Sequence, residues 1–230
     1  MKKQFIDRHN FGSIIYPLMK AGRYEEAVIC ISNAVKAFPH DPFPVAALAQ
    51  NRISMFLASG RENFSKPEGE QIITILKESI ALIDNKLVKT QHTALNDAAF
   101  IHVLLATAYL HCGNPNRSNN TFARKALQAA EYVTKREFQA RPDYYIEPET
   151  LAEAFSKQVV ALDRLKESPH KLQSAMVGAI ANYRKAGNKV MQKKMLEAHV
   201  QMFGYAPISM DNLQEEFPKF VESSIRKNQK

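Results

Sequence analysis

Along this chain apolar residues recur at intervals of three and four, and no segment sustains the period-two alternation of a half-buried strand. That pattern buries one stripe of a helix at a time, so the chain is expected to be all-α. Glycine supports the same reading. Eight glycines in 230 residues is about half the usual share of roughly 7%, too few for a turn-rich β-sandwich or for phosphate-cradling loops.

Breaker residues divide the pattern into ten predicted helices, at about 8–21, 24–38, 43–59, 67–84, 88–112, 120–139, 149–166, 170–186, 189–203 and 212–226. Gly22, Gly60, Gly113 and Gly187 each follow a helical run, where a left-handed cap residue is needed, and Pro42, Pro67 and Pro148 stand at or near helix starts. The chain therefore reads as antiparallel helical hairpins. Pro142, Asp143, Tyr144, Tyr145 and Pro148 interrupt the rhythm between Ala140 and Glu149. This stretch is either a linker or an ordered loop, and it sets the division into an array at 1–140 and further hairpins at 141–230 that are separate from it or continuous with it.

The sharpest hairpin spans Leu18 to Pro39. After Gly22 come Tyr24, Ala27, Ile31, Ala34 and the closing Pro39. Ala27 and Ala34 let two helices approach closely, Tyr24 fills the space beside the turn, and Pro39 stops the second helix. This pattern resembles the tetratricopeptide repeat, a helix–turn–helix unit of about 34 residues. The first helix departs from the family pattern, with Phe11 where Trp is usual and Ile15 where a small residue is usual. Weaker copies surround Gly60, Gly113 and Gly187, with lengthened connections at Asn63 to Glu70 and Pro115 to Thr121. The predicted helix 149–166 falls outside this pairing, and 149–186 with 189–226 would serve equally well as two hairpins.

The resemblance implies a stacked α-solenoid whose first helices face a concave groove. The family subset that clamps a C-terminal carboxylate carries Lys and Asn at positions that here are Gly12, Tyr16, Val103 and Thr107, so that clamp is absent. The groove would instead present Tyr16, Met19, Asn51, Ser54, Phe100, Val103, Thr107 and Leu110, a mostly apolar set suited to an amphipathic or extended peptide, half of which also fits the core.

Motifs for chemistry are missing. The seven histidines contain no metal-binding i,i+4 pair, and no Gly-x-x-x-x-Gly-Lys, Gly-x-Ser-x-Gly or Gly-x-Gly-x-x-Gly occurs. His111 and Cys112 are adjacent, and adjacent side chains on a helix point about 100° apart, so they serve one metal ion poorly. Glu147, Glu149 and Glu153 gather at a helix N-terminus, where the dipole favours negative charge, and Glu215 with Glu216 form a second acidic pair. No enzyme, metal or cofactor is expected.

The net charge is +8. Arg184, Lys185, Lys189, Lys193 and Lys194 bracket the turn at Gly187 with no acid among them. Lys189 and Lys193 repel at i,i+4, and both oppose the dipole of the following helix, so local stability does not account for them. They read as a solvated face or as a patch for an acidic partner or nucleic acid. A second basic group, Arg117, Arg124, Lys125, Lys135 and Arg136, is diluted by Glu131 and Glu137. With only Cys30 and Cys112, no apolar run long enough to span a bilayer, and a cationic start interrupted by Asp7, Arg8 and His9 before any apolar stretch, the expectation is a cytoplasmic protein without disulfides. The leading functional expectation is a non-catalytic protein- or peptide-binding scaffold acting as adaptor, chaperone or regulator. The alternative is a nucleic-acid-binding regulator using residues 184–194.

Overall fold

The structure is a computed structural model that describes residues 11–84, 94–112, 121–135 and 146–207. Among these residues every regular element is an α-helix: α1 (Phe11–Lys20), α2 (Tyr24–Ala37), α3 (Pro42–Ala58), α4 (Lys66–Asp84), α5 (Ala94–Cys112), α6 (Thr121–Thr134), α7 (Pro148–Leu165), α8 (Pro169–Lys185) and α9 (Lys189–Phe203). The expected helix at 212–226, the acidic pair Glu215 and Glu216, and the cap at Gly113 lie outside the described residues.

Helix ends follow local chemistry. Gly22 has φ 72° and Gly187 φ 70°. At each the chain closes with the same pair of bonds, Gly22 N–H to the Met19 carbonyl and Arg23 N–H to that of Leu18, then Gly187 to Arg184 and Asn188 to Tyr183. Lys166 adopts the same left-handed turn at φ 55°, with bonds from Lys166 to Asp163 and from Glu167 to Leu162. A side chain with a Cβ is strained there, and the sequence gives no warning of it. At the helix starts, Asp41 Oδ1 accepts from Phe43 N–H at 3.1 Å and Asn188 Oδ1 from Met191 N–H at 3.1 Å.

Each helix packs on the next in sequence. In addition α1 packs on α3, α3 on α5 and α5 on α7, whereas α2, α4, α6 and α8 pack only on odd-numbered helices. The odd-numbered helices α1, α3, α5 and α7 thus form a continuous row. Small residues set the close spacing. Ala27 and Ala34 are fully buried with Ile31 against Phe11, Ile15 and Met19. Gly69 on α4 passes Cys112, where an added Cβ would come within 2.3 Å of Sγ, and Gly178 on α8 passes Phe155, where it would come within 2.7 Å of the ring. These helix-interior glycines exist for interhelical approach.

The main core joins α3, α4, α5 and α6 through Phe56, Ile72, Leu76, Ile101, Leu105 and Ala130, and it also includes Ala161 of α7. A second cluster joins Ala99, Val103 and Val133 to Ile146 and Ala154. Packing therefore runs across the interval 140–149. Helix α7, left unpaired by the glycine-based reading, is the partner of α8. The hairpin register after residue 146 is α7 with α8, and α9 follows as a single described helix against α8.

Candidate functional site

The row of odd-numbered helices encloses a cleft of about 540 Å³, lined by Tyr16 of α1, Phe43 and Gln50 of α3, Asp97, Phe100 and Val103 of α5, and Glu147, Glu149, Thr150 and Glu153 at the start of α7. Its volume falls in the range of about 300 to 1,000 Å³ typical of ligand sites. Three aromatic rings form the walls, and four carboxylate side chains lie along α5 and α7. Glu147 is the N-cap residue of α7, and Glu149 lies in its first turn, where the helix dipole favours their negative charge.

Two of the carboxylates are oriented by neutral donors. Tyr183 Oη donates to Glu153 Oε1 at 2.7 Å, and Asn188 Nδ2 donates to Glu149 Oε1 at 3.0 Å. Lys157 approaches the other oxygen of Glu153 at 3.5 Å. Burial, above all, raises the Tyr183 hydroxyl well above the ordinary tyrosine range. The bond with Ser156 opposes that rise and the bond with Glu153 reinforces it. The Tyr16 hydroxyl is also raised, first by burial and then by the negative charges of Asp97 and Glu147. Both phenols remain neutral hydrogen-bonding groups at physiological pH.

Of the eight expected groove residues, Tyr16, Phe100 and Val103 line this cleft. Tyr16 keeps 41% of its surface exposed although its hydroxyl is desolvated, Phe100 is half-buried and Val103 nearly covered. Four others lie inside the packing. Met19 belongs to the α1–α2 core and Leu110 to the main core. Asn51 is fully buried and donates through Nδ2 to the Tyr24 carbonyl at 3.2 Å, tying α3 to α2. Thr107 donates to the Val103 carbonyl of its own helix at 2.9 Å. Ser54 is half-buried and does not line the cleft. Sequence spacing placed these residues on the correct helices, and on α5 it could not orient them, because α5 buries almost every residue from Ala98 to Leu110 and offers no single stripe.

The three glutamates were visible in the sequence as a helix start. Their role in the cleft depends on α7 joining the odd-numbered row. Phe43, Gln50 and Asp97 carried no sequence signal.

Arg184, Lys185, Lys189, Lys193 and Lys194 are all exposed around the Gly187 turn, and Lys193 Nζ lies 3.8 Å from Glu197. His111 is a packing residue. Its Nδ1 lies 3.0 Å from the Glu62 carbonyl, and its ring packs edge-on against Phe56 and Phe64. Burial pushes the Cys112 thiol up to about 11, away from the thiolate that a nucleophile or metal ligand requires. Cys30 and Cys112 are unbridged. Among the described residues no group of three or more His, Cys, Asp or Glu is arranged to hold a metal ion, and no helix is long and apolar enough to cross a membrane. Among the residues lining the cleft there is no His, Cys, Lys or Arg; the arrangement suits binding through aromatic faces and carboxylate acceptors. No protein-family model, curated protein or solved structure matches this chain.

Proposed function

We propose that this chain is a non-catalytic scaffold of tetratricopeptide-like type that holds a segment of a partner protein in the cleft along α1, α3, α5 and α7. The observation behind this reading is that four alternate helices, spread over the chain from Tyr16 to Glu153, contribute to one cleft. Stacked hairpins whose first helices pack on one another, while their second helices do not, curve toward that row, and the concave side is where helical-repeat proteins hold extended ligands. The walls supply rings for apolar contact, and Gln50 and Thr150 supply hydrogen-bonding groups.

A second reading is supported by the five exposed cations around Gly187, which form a surface suited to phosphates or to an acidic partner. One set of variants separates the two. The immobilised chain should retain a partner from a lysate of its source. Tyr16→Ala with Phe100→Ala should release that partner, and Lys189→Glu, Lys193→Glu and Lys194→Glu together should leave it bound. Loss through the triple change alone, with the cleft variant unaffected, would reject the cleft. Salt-dependent DNA or RNA binding, abolished by the triple change, would then establish the second reading.

A further inference from the structure

Resting on the scaffold reading, we propose that the occupant of the cleft is a cationic protein segment, one whose Lys or Arg side chains alternate with apolar ones. The first argument is charge. Asp and Glu make up 23 of the 230 residues in a chain of net charge +8, yet they supply four of the ten residues lining the cleft, with no cation among those ten. An acidic tail, a phosphorylated segment or a nucleic acid would be repelled where it must sit closest.

The second argument is the wall. Tyr16, Phe43 and Phe100 present ring surface beside the carboxylates. A Lys or Arg side chain uses that combination fully, laying its methylene stem or guanidinium plane on a ring and its charge on an acid. The third is preorganisation. Glu149 is held by Asn188, a donor that orients it without adding positive charge, and Glu153 is held by Tyr183 with Lys157 3.5 Å from its other oxygen. Carboxylates fixed in this way lose little freedom when a cation arrives.

The test uses the full chain and three fluorescein-labelled peptides of one length and one apolar pattern, whose alternate positions are all Lys and Arg, all Gln, or all Glu. Anisotropy titrations at about 50 and 200 mM salt should show the basic peptide binding at least tenfold more tightly than the Gln peptide, with the difference shrinking at the higher salt. Glu147→Gln with Glu149→Gln should weaken the basic peptide at least fivefold and leave the Gln peptide unchanged, while Tyr16→Ala with Phe100→Ala should weaken both. Should the glutamine variant fail a circular dichroism check on folding, the peptide series and salt dependence on the unaltered chain still decide.

Equal binding of the basic and Gln peptides, both lost with Tyr16 and Phe100, overturns the cationic occupant and keeps the scaffold. If no peptide responds to Tyr16→Ala with Phe100→Ala, both fall. Two further outcomes replace the external partner. One is self-association in sedimentation that the glutamine variant abolishes, making a second copy the occupant. The other is a tenfold gain in basic-peptide affinity on Lys2→Gln, Lys3→Gln and Arg8→Gln, making the chain's own first residues the occupant.

Discussion

Helices α5 and α9 differ in how many neighbours they have, and their sequences show it. From Ala98 to Leu110 every residue of α5 except Phe100 and His102 is buried, because α3, α4, α6 and α7 all pack on it. Among the described residues helix α9 packs on α8 alone, and its buried positions are Gln192, Leu196 and His199. Its interior is partly polar. His199 Nδ1 donates to the Tyr205 carbonyl at 3.0 Å, and its ring packs against Phe203 and Tyr205. A helix apolar all round has neighbours all round, whereas a helix with a narrow, mixed interior sits at an end of the packing among the described residues. Stability should therefore be concentrated around α5 and fall toward α9.

The largest expected effect tests that gradient. Ile101→Ala in the main core should cost about 2 to 5 kcal/mol in urea unfolding. Leu196→Ala, although Leu196 is equally buried, should cost less, because α9 can open without the rest. Hydrogen exchange should show α9 amides exchanging faster than those of α5. Equal costs and equal protection would remove the distinction.

Next come the close approaches between helices. Ala27→Leu in the first hairpin and Gly178→Ala against Phe155 should each cost on the order of 1 to 3 kcal/mol by overpacking. An unchanged denaturation midpoint for Ala27→Leu would mean that the α1–α2 packing is misassigned.

A smaller effect comes from pH. Burial pushes His102, stacked on Tyr132 at a centroid distance of 3.8 Å, down from 6.5 to about 4. With its folded pKa below its unfolded one, the unfolded chain binds more protons between those values, so stability is lost as pH falls from about 6.5 toward 4. Between pH 7 and 5 the loss from His102 should be roughly 1 to 2 kcal/mol. Burial also lowers His111 and His199, which act in the same direction. His102→Gln should flatten the pH dependence measurably. Were it to leave the slope untouched, the central helix would not be the origin of the pH sensitivity.

The smallest effects lie at the turns. Asn188→Ala should cost about 1 kcal/mol by removing the cap of α9. Lys166→Gly should stabilise by roughly 1 kcal/mol by relieving the left-handed strain between α7 and α8. Thermal melts of the two variants should shift in opposite directions.

Much of the secondary structure is legible in the sequence. The expected and observed bounds of α2, α3, α4, α7, α8 and α9 agree within a residue, because Pro42, Pro148, Gly22, Gly60 and Gly187 act through their own backbone constraints. Helix α6 ends at Thr134, and residues 136–139 of its expected span lie outside the described residues. The site was legible only in part. Tyr16, Phe100 and Val103 were placed from the hairpin resemblance, whereas Asn51 and Thr107 look like groove donors in sequence and are consumed by internal hydrogen bonds.

Taken alone, the sequence determines that the chain is helical, where most helices end and which turns are tight, since these depend on residues within a few positions of one another. Tertiary structure decides which helices share a face. The pairing of α7 with α8, the alignment of α7 beside α5, and the sharing of one cleft by Tyr16 and Glu153 all depend on packing between distant segments. Local periodicity orients a helix only when it has one apolar stripe, and α5, buried around most of its circumference between Ala98 and Leu110, has none.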